Sequence, residues 1–455
     1  MISATTLKSW LSDGQELALL DVREAGQIGE GHIFHSIPLP YSRFESGLAR
    51  LAPNARTRVV LVDDGSGIAT RAAQRAQALG YASVQTLDGG AAAWARAGFT
   101  LFKGVNVPSK AFGELVEHQR HTPRLTAAEL KARVERGDNL VILDGRPLAE
   151  HRRMTIPGSR CCPNGELAVR IGTIVRDPAT TIVVNCAGRT RSIIGAQSLI
   201  NFGVPNPVYA LENGTQGWYL NDFTLEHGGT ARYPDNGEPQ GLDAARTAAR
   251  ALTQRFDVPH IDTTQASAWL SDTTRTTFLC DVRTAEEFAA QTLPGAQHTP
   301  GGQLMQATDQ YVGVRRARLV LFDAEGVRAT VVASWLRQMG HDAVVLEGGL
   351  QAGLDAGVRA ARGPVHEVIA LPTASAAQLA AGLADQSMLA LDLRGSMAYR
   401  AGHVAGSRWS IRARLAQDLR GVPHDTTLVL IGDADRKSTR LNSSHTDISR
   451  MPSSA

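Results

Sequence analysis

Cysteine is scarce in this sequence. Its 455 residues hold four, Cys161, Cys162, Cys186 and Cys280, too few for a disulfide framework. No uninterrupted apolar run is long enough to span a bilayer. The N-terminus, Met-Ile-Ser-Ala-Thr-Thr-Leu-Lys, lacks the basic-then-apolar pattern of a secretory leader, so a cytoplasmic protein is expected. Paired Cys or His ligands at zinc spacing are missing, and no metal is expected. A net charge of only +3 gives no reason to expect a nucleic-acid or membrane partner. Hydrophobic content of 43% is ordinary for a globular chain, and the length suggests three or four domains.

What is present concentrates in one stretch, Thr181-Ile-Val-Val-Asn-Cys186-Ala-Gly-Arg-Thr-Arg-Ser192. It opens as a β-branched apolar run, the pattern of a buried strand, and helical spacing resumes from Ile193 to Phe202. Cys186 therefore falls between a strand end and a helix start. The unpaired amides and the dipole of a first helical turn favour an anion there, and so an easily ionised thiol. Arg189 and Arg191 add positive charge beside it. A lone cysteine is more often structural, but a glycine-bearing, arginine-flanked loop is a poor place for an inert one.

The chain also repeats itself. An apolar strand ending in Asp-x-Arg occurs at Asp21/Arg23, Asp144/Arg146, Asp281/Arg283 and Asp392/Arg394, with the aspartates 123, 137 and 111 residues apart. Each interval is about one small domain. A second block follows every copy: Gly31-His32-Ile33, Ile156-Pro157-Gly158, Leu293-Pro294-Gly295 and Gly402-His403-Val404. A third closes the first three copies: Asp88-Gly89-Gly90 with Trp94, Glu212-Asn213-Gly214 with Trp218, and Glu347-Gly348-Gly349 with Gly353 in the tryptophan's place. Strands at Val59–Val62, Thr181–Asn185 and Leu319–Phe322 alternate with helices at Ala72–Leu79, Ile193–Phe202 and Thr330–Met339, which Gly80, Gly203 and Gly340 punctuate. This predicts an α/β chain of tandem modules, each a small, mainly parallel sheet flanked by helices.

Asp-x-Arg, the Gly-His or Pro-Gly block and the Gly-Gly-x-x-x-Trp block, recurring in order, resemble the rhodanese family over nearly the whole chain. The loop Cys186-Ala-Gly188-Arg-Thr-Arg191 resembles its active-site loop, while matching neither the usual thiosulfate-type nor the mercaptopyruvate-type version. Related Cys-based phosphatases carry one residue more before the arginine, a loop that fits phosphate rather than a single sulfur. The resemblance implies a sulfurtransferase moving sulfane sulfur from a donor such as thiosulfate to a thiol or cyanide acceptor through a Cys186 persulfide, with no cofactor. Ala187, Gly188, Arg189, Thr190, Arg191 and Ser192 would bind substrate, the loop amides holding sulfur and the two arginines attracting a small anionic donor. Asp144 and Arg146 would brace the loop. The alternative is a non-enzymatic sulfur carrier or regulatory scaffold whose degenerate modules dock partners.

Only one module has the thiol. The implied map is an inactive module at 1–103, a linker at 104–124 with a helical Phe112–His118, the catalytic module at 125–229, a linker at 230–255, an inactive module at 256–361 and a truncated module at 373–434. Asp63 and Asp323 stand at the cysteine position of modules one and three, either as salt bridges that hold the loop shut or as drift. Cys280 is expected in the core. The Cys161–Cys162 pair is read first as structural, with a resolving thiol for Cys186 as the alternative. His32 and His403 are expected to make structural hydrogen bonds, and His151 to be a solvated surface residue, with substrate contact at the entrance of the active module as the alternative. Residues 435–455 translate a common sequencing-library adapter in frame and are read as an artefact, which supplies +2 of the net charge.

Overall fold

The structure is a computed structural model that describes residues 1–234, 241–354 and 371–432. Residues 435–455, expected from the sequence to be adapter-derived, lie outside these residues, as does most of the junction before the fourth module. The first three modules form one compact unit and the fourth belongs to a second.

The second module carries five parallel strands, Arg124–Leu125, Leu140–Asp144, Arg160–Cys161, Thr181–Asn185 and Val208–Leu211. In chain order within the module they lie 1-5-4-2-3. The third module repeats this order with His260–Ile261, Thr277–Asp281, Gln297–His298, Arg318–Phe322 and Asp342–Leu346. The first keeps four strands, and the isolated Ile2–Leu87 bridge stands at the remaining edge. A central parallel strand is covered on both faces, which is why its sequence is continuously apolar rather than alternating. All four residues of Val59–Val62 are buried accordingly.

Each sheet buries its own apolar cluster. Trp94 and Trp218 anchor the first two and donate their indole N–H to the Thr100 and Thr224 carbonyls at 3.1 and 3.0 Å. Truncating such a tryptophan to alanine costs about 3–5 kcal/mol. In the third module, Leu350 and Leu354 fill the cluster beside Gly353 instead.

The helices after the central strands, Ile68–Ala78, Thr190–Phe202 and Arg328–Gln338, begin earlier than the apolar periodicity indicated. In the second and third modules the first turn opens on polar or charged residues, Thr190-Arg191-Ser192 and Arg328, because it belongs to the loop. Both linkers also hold long helices, Val107–Arg120 and Leu242–Phe256. The first, which contains the expected Phe112–His118, packs along Thr190–Phe202. Modules two and three meet at Trp335, fully buried, whose indole N–H donates to the Ser198 hydroxyl at 2.8 Å and whose ring meets Phe112 edge-on.

The fourth module, taken by itself, has three parallel strands in the order Arg408–Trp409, Met388–Asp392, Thr427–Ile431, and a helix Ala376–Ala384 capped by Ser375.

Candidate active site

In the second module the central strand ends at Asn185 and the next helix starts at Thr190, so Cys186 to Arg189 form the loop between them. The third sequence block holds this loop from behind. Asn213 and Gly214 both take left-handed backbone angles, φ 57° and 51°. They turn the Thr215 and Gln216 amides onto the Cys186 and Ala187 carbonyls at 2.8 and 3.0 Å. A Cβ at Gly214 would collide with the Cys186 carbonyl, so the glycine is required. The same contact recurs as Ala91 N–H to Asp63 O and Leu350 N–H to Asp323 O, each 2.8 Å.

Cys186 is 2% exposed, and the buried Ser192 hydroxyl donates to its sulfur at 3.2 Å. Arg191 forms a two-pronged pair with Glu150, both contacts 2.8 Å, while Asn164 donates to its carbonyl at 2.9 Å. Burial works against the Arg191 charge, but Glu150, Cys186 and Asp144 outweigh it and raise its pKa. Arg189 points elsewhere. Its guanidinium pairs with Glu114 at 2.8 Å and with Glu117, both on the linker helix. It is therefore a clamp between loop and linker helix, where the sequence suggested an anion-facing charge. Thr190 sits against Gly113 of the same helix, at a spot where any Cβ would collide with its methyl. Gly188 lies beside the Gln216 side chain.

Asp144 and Arg146 are both buried and pair through Nε and Nη2 at 2.9 and 2.7 Å, and Nη2 also donates to the Met154 carbonyl at 2.6 Å. The other modules repeat this as Arg23 to Gly31 O, Arg283 to Gln291 O and Arg394 to Gly402 O. The pair thus pins the end of the short helix that follows it. His151 is a correction: it is fully buried, with Nδ1 3.1 Å from Asp144 Oδ2. The position seven after the aspartate is Ile28, Phe288 or Tyr399 in the other copies, an inward-facing site of the helix. Burial pushes the Asp144 carboxyl up, yet Arg146, His151 and Thr155 hold it down to about 2. His32 and His403 bond backbone carbonyls, of Ile33 and Tyr399.

Among the described residues the aspartates at the cysteine position form no salt bridge. Asp323 accepts the Gly326, Val327 and Arg328 amides at 2.9, 2.9 and 2.7 Å. Asp63 accepts the Gly65 and Ala69 amides at 2.9 and 3.0 Å. Burial pushes the Asp323 carboxyl up against the pull of Arg328 and these amides. Arg328, which matches Arg191 in position, is wholly buried and pairs with Glu325, Glu287 and, across the module boundary, Glu166.

The remaining thiols lie away from this loop. Cys161 is on an edge strand, with Leu140–Asp144 between it and the Cys186 strand. Two strand spacings are roughly 9.5 Å, beyond the ~7 Å limit for a bridge without backbone movement. Burial pushes Cys161 and Cys280 up to about 12 and Cys162 well above its usual range. Among the described residues no cluster of His, Cys, Asp or Glu is placed to hold a metal.

Four site residues escaped the sequence reading: Glu150, Asn164, Glu114 and Glu117. Glu150 had a signal, since Glu287 and Gln27 occupy the same place six residues after the aspartate. Glu287 grips Arg328 just as Glu150 grips Arg191.

A family profile, the rhodanese-like domain, matches residues 3–97, 126–221 and 262–356. The chain is similar to the crystal structure of a thiosulfate sulfurtransferase from Pseudomonas aeruginosa, with 43% identity over 95% of this chain and 82% of that one and a TM-score of 0.87. The Alr3790 protein from Anabaena sp. matches at 25% identity over 23% of this chain and 93% of its own, with a TM-score of 0.22, too low to carry an argument. Comparison with curated proteins gave no match. Three matched segments covering most of the chain, and a solved relative aligned along nearly all of it, settle the kinship: the chain belongs to the rhodanese family.

Proposed function

We propose that the protein is a sulfurtransferase working through the second module alone. The observation that carries this is the paired geometry of two loops. In the third module three loop amides converge on one carboxylate at the strand end. The second module, with the same spacing to its arginine, puts the Cys186 sulfur at that position. Amides that hold a carboxylate there can hold a sulfur anion.

In the first half-reaction the Cys186 thiolate attacks the outer sulfur of thiosulfate. A sulfur–sulfur bond forms to Cys186 as the donor's own breaks, and sulfite leaves with the bonding pair. An acceptor thiolate or cyanide then attacks the outer sulfur of the persulfide and restores the Cys186 thiolate. Arg191, neutralised in part by Glu150, supplies a fixed positive end to the loop. The partners are a small anionic donor and a thiol acceptor, the setting is cytoplasmic, and modules one and three serve structure rather than chemistry.

Intact-mass spectrometry after thiosulfate treatment tests the reading. One sulfur atom should be gained, mapped to Cys186, and lost on adding cyanide with thiocyanate released over many turnovers. Loading without turnover would indicate a carrier; loading that survives Cys186→Ser would overturn the assignment.

A further inference from the structure

The first and third modules and the linker helix Val107–Arg120 line a separate, partly open cavity of about 380 Å³, a volume suited to a small organic molecule. Its lining divides by chemistry. Phe34, Ile37, Phe112 and Val314 are apolar, whereas Arg315, Arg316, His35 and His341 are cationic or N–H donors. Among the described residues neither arginine has a carboxylate partner. Burial pushes the Arg315 pKa down and Arg316 pushes it further. The lining's single carboxyl, Asp309, is pushed up by burial, toward its uncharged form. Burial, with the Arg315 charge next, lowers His35 and His341 to about 4, leaving both as neutral donors at physiological pH. Arg316 also holds a left-handed backbone, φ 66°, a conformation that non-glycine residues keep only where surroundings impose it. Arg315 is half-buried with the exposed Arg316 adding like charge beside it, and an anion would relieve that repulsion.

The linker helix connects this cavity to Cys186. Ser109 and Phe112 line it, and the next residues on the helix grip the active loop: Gly113 against Thr190, and Glu114 and Glu117 on Arg189. A narrow cleft that shares Ser109, Phe112 and Met339 with the cavity reaches Thr190 and Arg191.

We propose that this cavity binds a small organic anion with an apolar body, and that the linker helix carries its occupancy to the Cys186 loop. The chemistry asked for is a carboxylate or sulfonate on an aromatic or aliphatic frame, with the anion at Arg315 and Arg316 and the frame against Phe34 and Phe112. Such a ligand changes the loop only to the extent that it binds one helix position better than another.

The probe is anilinonaphthalene sulfonate, titrated into the full-length protein by fluorescence, with uncharged phenylnaphthylamine as its partner. Saturable one-site binding is expected. The uncharged probe and the Arg315→Gln/Arg316→Gln variant should each show affinity weaker by about tenfold or more. Arg316→Gln alone, at an exposed residue, serves if the double variant does not fold, and should weaken binding by about threefold. At saturation, amide exchange of the 186–192 peptide should change at least about twofold in the wild type and not in the variant. Non-saturable binding, or equal affinity for both probes or both proteins, would sink the site. Unchanged exchange at 186–192 with the site filled would sink the coupling. Neither readout uses a sulfur donor, so the sulfurtransferase reading can fail separately.

Discussion

The second and third modules close the same loop around different atoms. Both run a buried central strand into a five-residue step that ends on an arginine, and both hang the loop from a glycine of left-handed φ, Gly214 or Gly349. In one the strand-end atom is the Cys186 sulfur, which accepts the Ser192 hydroxyl; in the other it is a carboxylate that accepts three amides. The arginines differ in the same sense. Arg191 keeps one partner and remains 12% exposed, whereas Arg328 is fully buried among three carboxylates. A fold built to receive an anion is thus filled by its own side chain in the third module, and its arginine has become a fastening to the second.

The largest effect should come from exchanging these atoms. Cys186→Asp is expected to abolish sulfur loading while leaving the melting temperature within a few degrees, because a carboxylate there finds the amides that Asp323 finds. The reverse exchange, Asp323→Cys in a Cys186→Ser background, should show a partial mass gain with thiosulfate. No gain at all would mean that the loop amides are not sufficient and that the second module's own donors decide the chemistry.

Next come the glycines behind the loops. Gly214→Ala places a side chain at φ 51° and drives it into the Cys186 carbonyl. Left-handed strain alone costs about 1–3 kcal/mol, so the melting temperature should fall and loading should slow by about tenfold or more. Gly349→Ala makes the same collision with the Asp323 carbonyl. It should cost similar stability but leave loading per folded molecule unchanged. Equal activity losses in both would mean that the third module takes part in turnover.

Acid should separate the Asp144 contribution. Its folded pKa of about 2 lies below the ordinary carboxylate value, about 3.9. The folded state therefore prefers the ionised form, and roughly 2.5 kcal/mol of stability is present above the unfolded pKa. It is lost as pH falls through about 4 toward 2. In urea unfolding, Asp144→Asn should be less stable than wild type at pH 7, and the gap should narrow by about half near pH 3 and close as the pH approaches 2. A gap that stays constant would assign the effect to packing alone.

Much of this was legible in the chain because it is local or repeated. The strand-loop-helix around Cys186, the helix-ending glycines and the four Asp-x-Arg pairs each sit within a few residues, where backbone preferences act. What stayed hidden is pairing at a distance. Glu150 meets Arg191 across 41 residues of sequence and Glu114 meets Arg189 across 75. No local period encodes such contacts. The linker helices were legible only in part: Phe112–His118 reads as helical, but the full extent of Val107–Arg120 and the whole of Leu242–Phe256 do not, because both lie in segments that read as linkers. The Asp63 and Asp323 amide caps could be read only once the loop's curvature brought the amides round.

The smallest predicted effect concerns the residue six places after the strand-end atom. It is Ala69 in the first module and Ala329 in the third, the two with aspartate, and Ser192 in the module with the thiol. Its hydroxyl is fully buried and reaches the Cys186 sulfur at 3.2 Å. A carboxylate fed by backbone amides has no need of that donor, which accounts for alanine where aspartate sits. A neutral hydrogen bond is worth about 0.5–1.5 kcal/mol, and one to a charged sulfur somewhat more. Ser192→Ala should therefore slow thiosulfate loading by about three- to tenfold, chiefly in kcat, with the melting temperature nearly unchanged, since a methyl fits where the sister modules carry one. Ser192→Thr, which keeps the hydroxyl, should recover part of the rate. Adding Ala329→Ser to Asp323→Cys should raise sulfur uptake by the third module for the same reason. If Ser192→Ala loads at the wild-type rate, the hydroxyl serves only packing, and the difference between the second and third loops reduces to thiol against carboxylate.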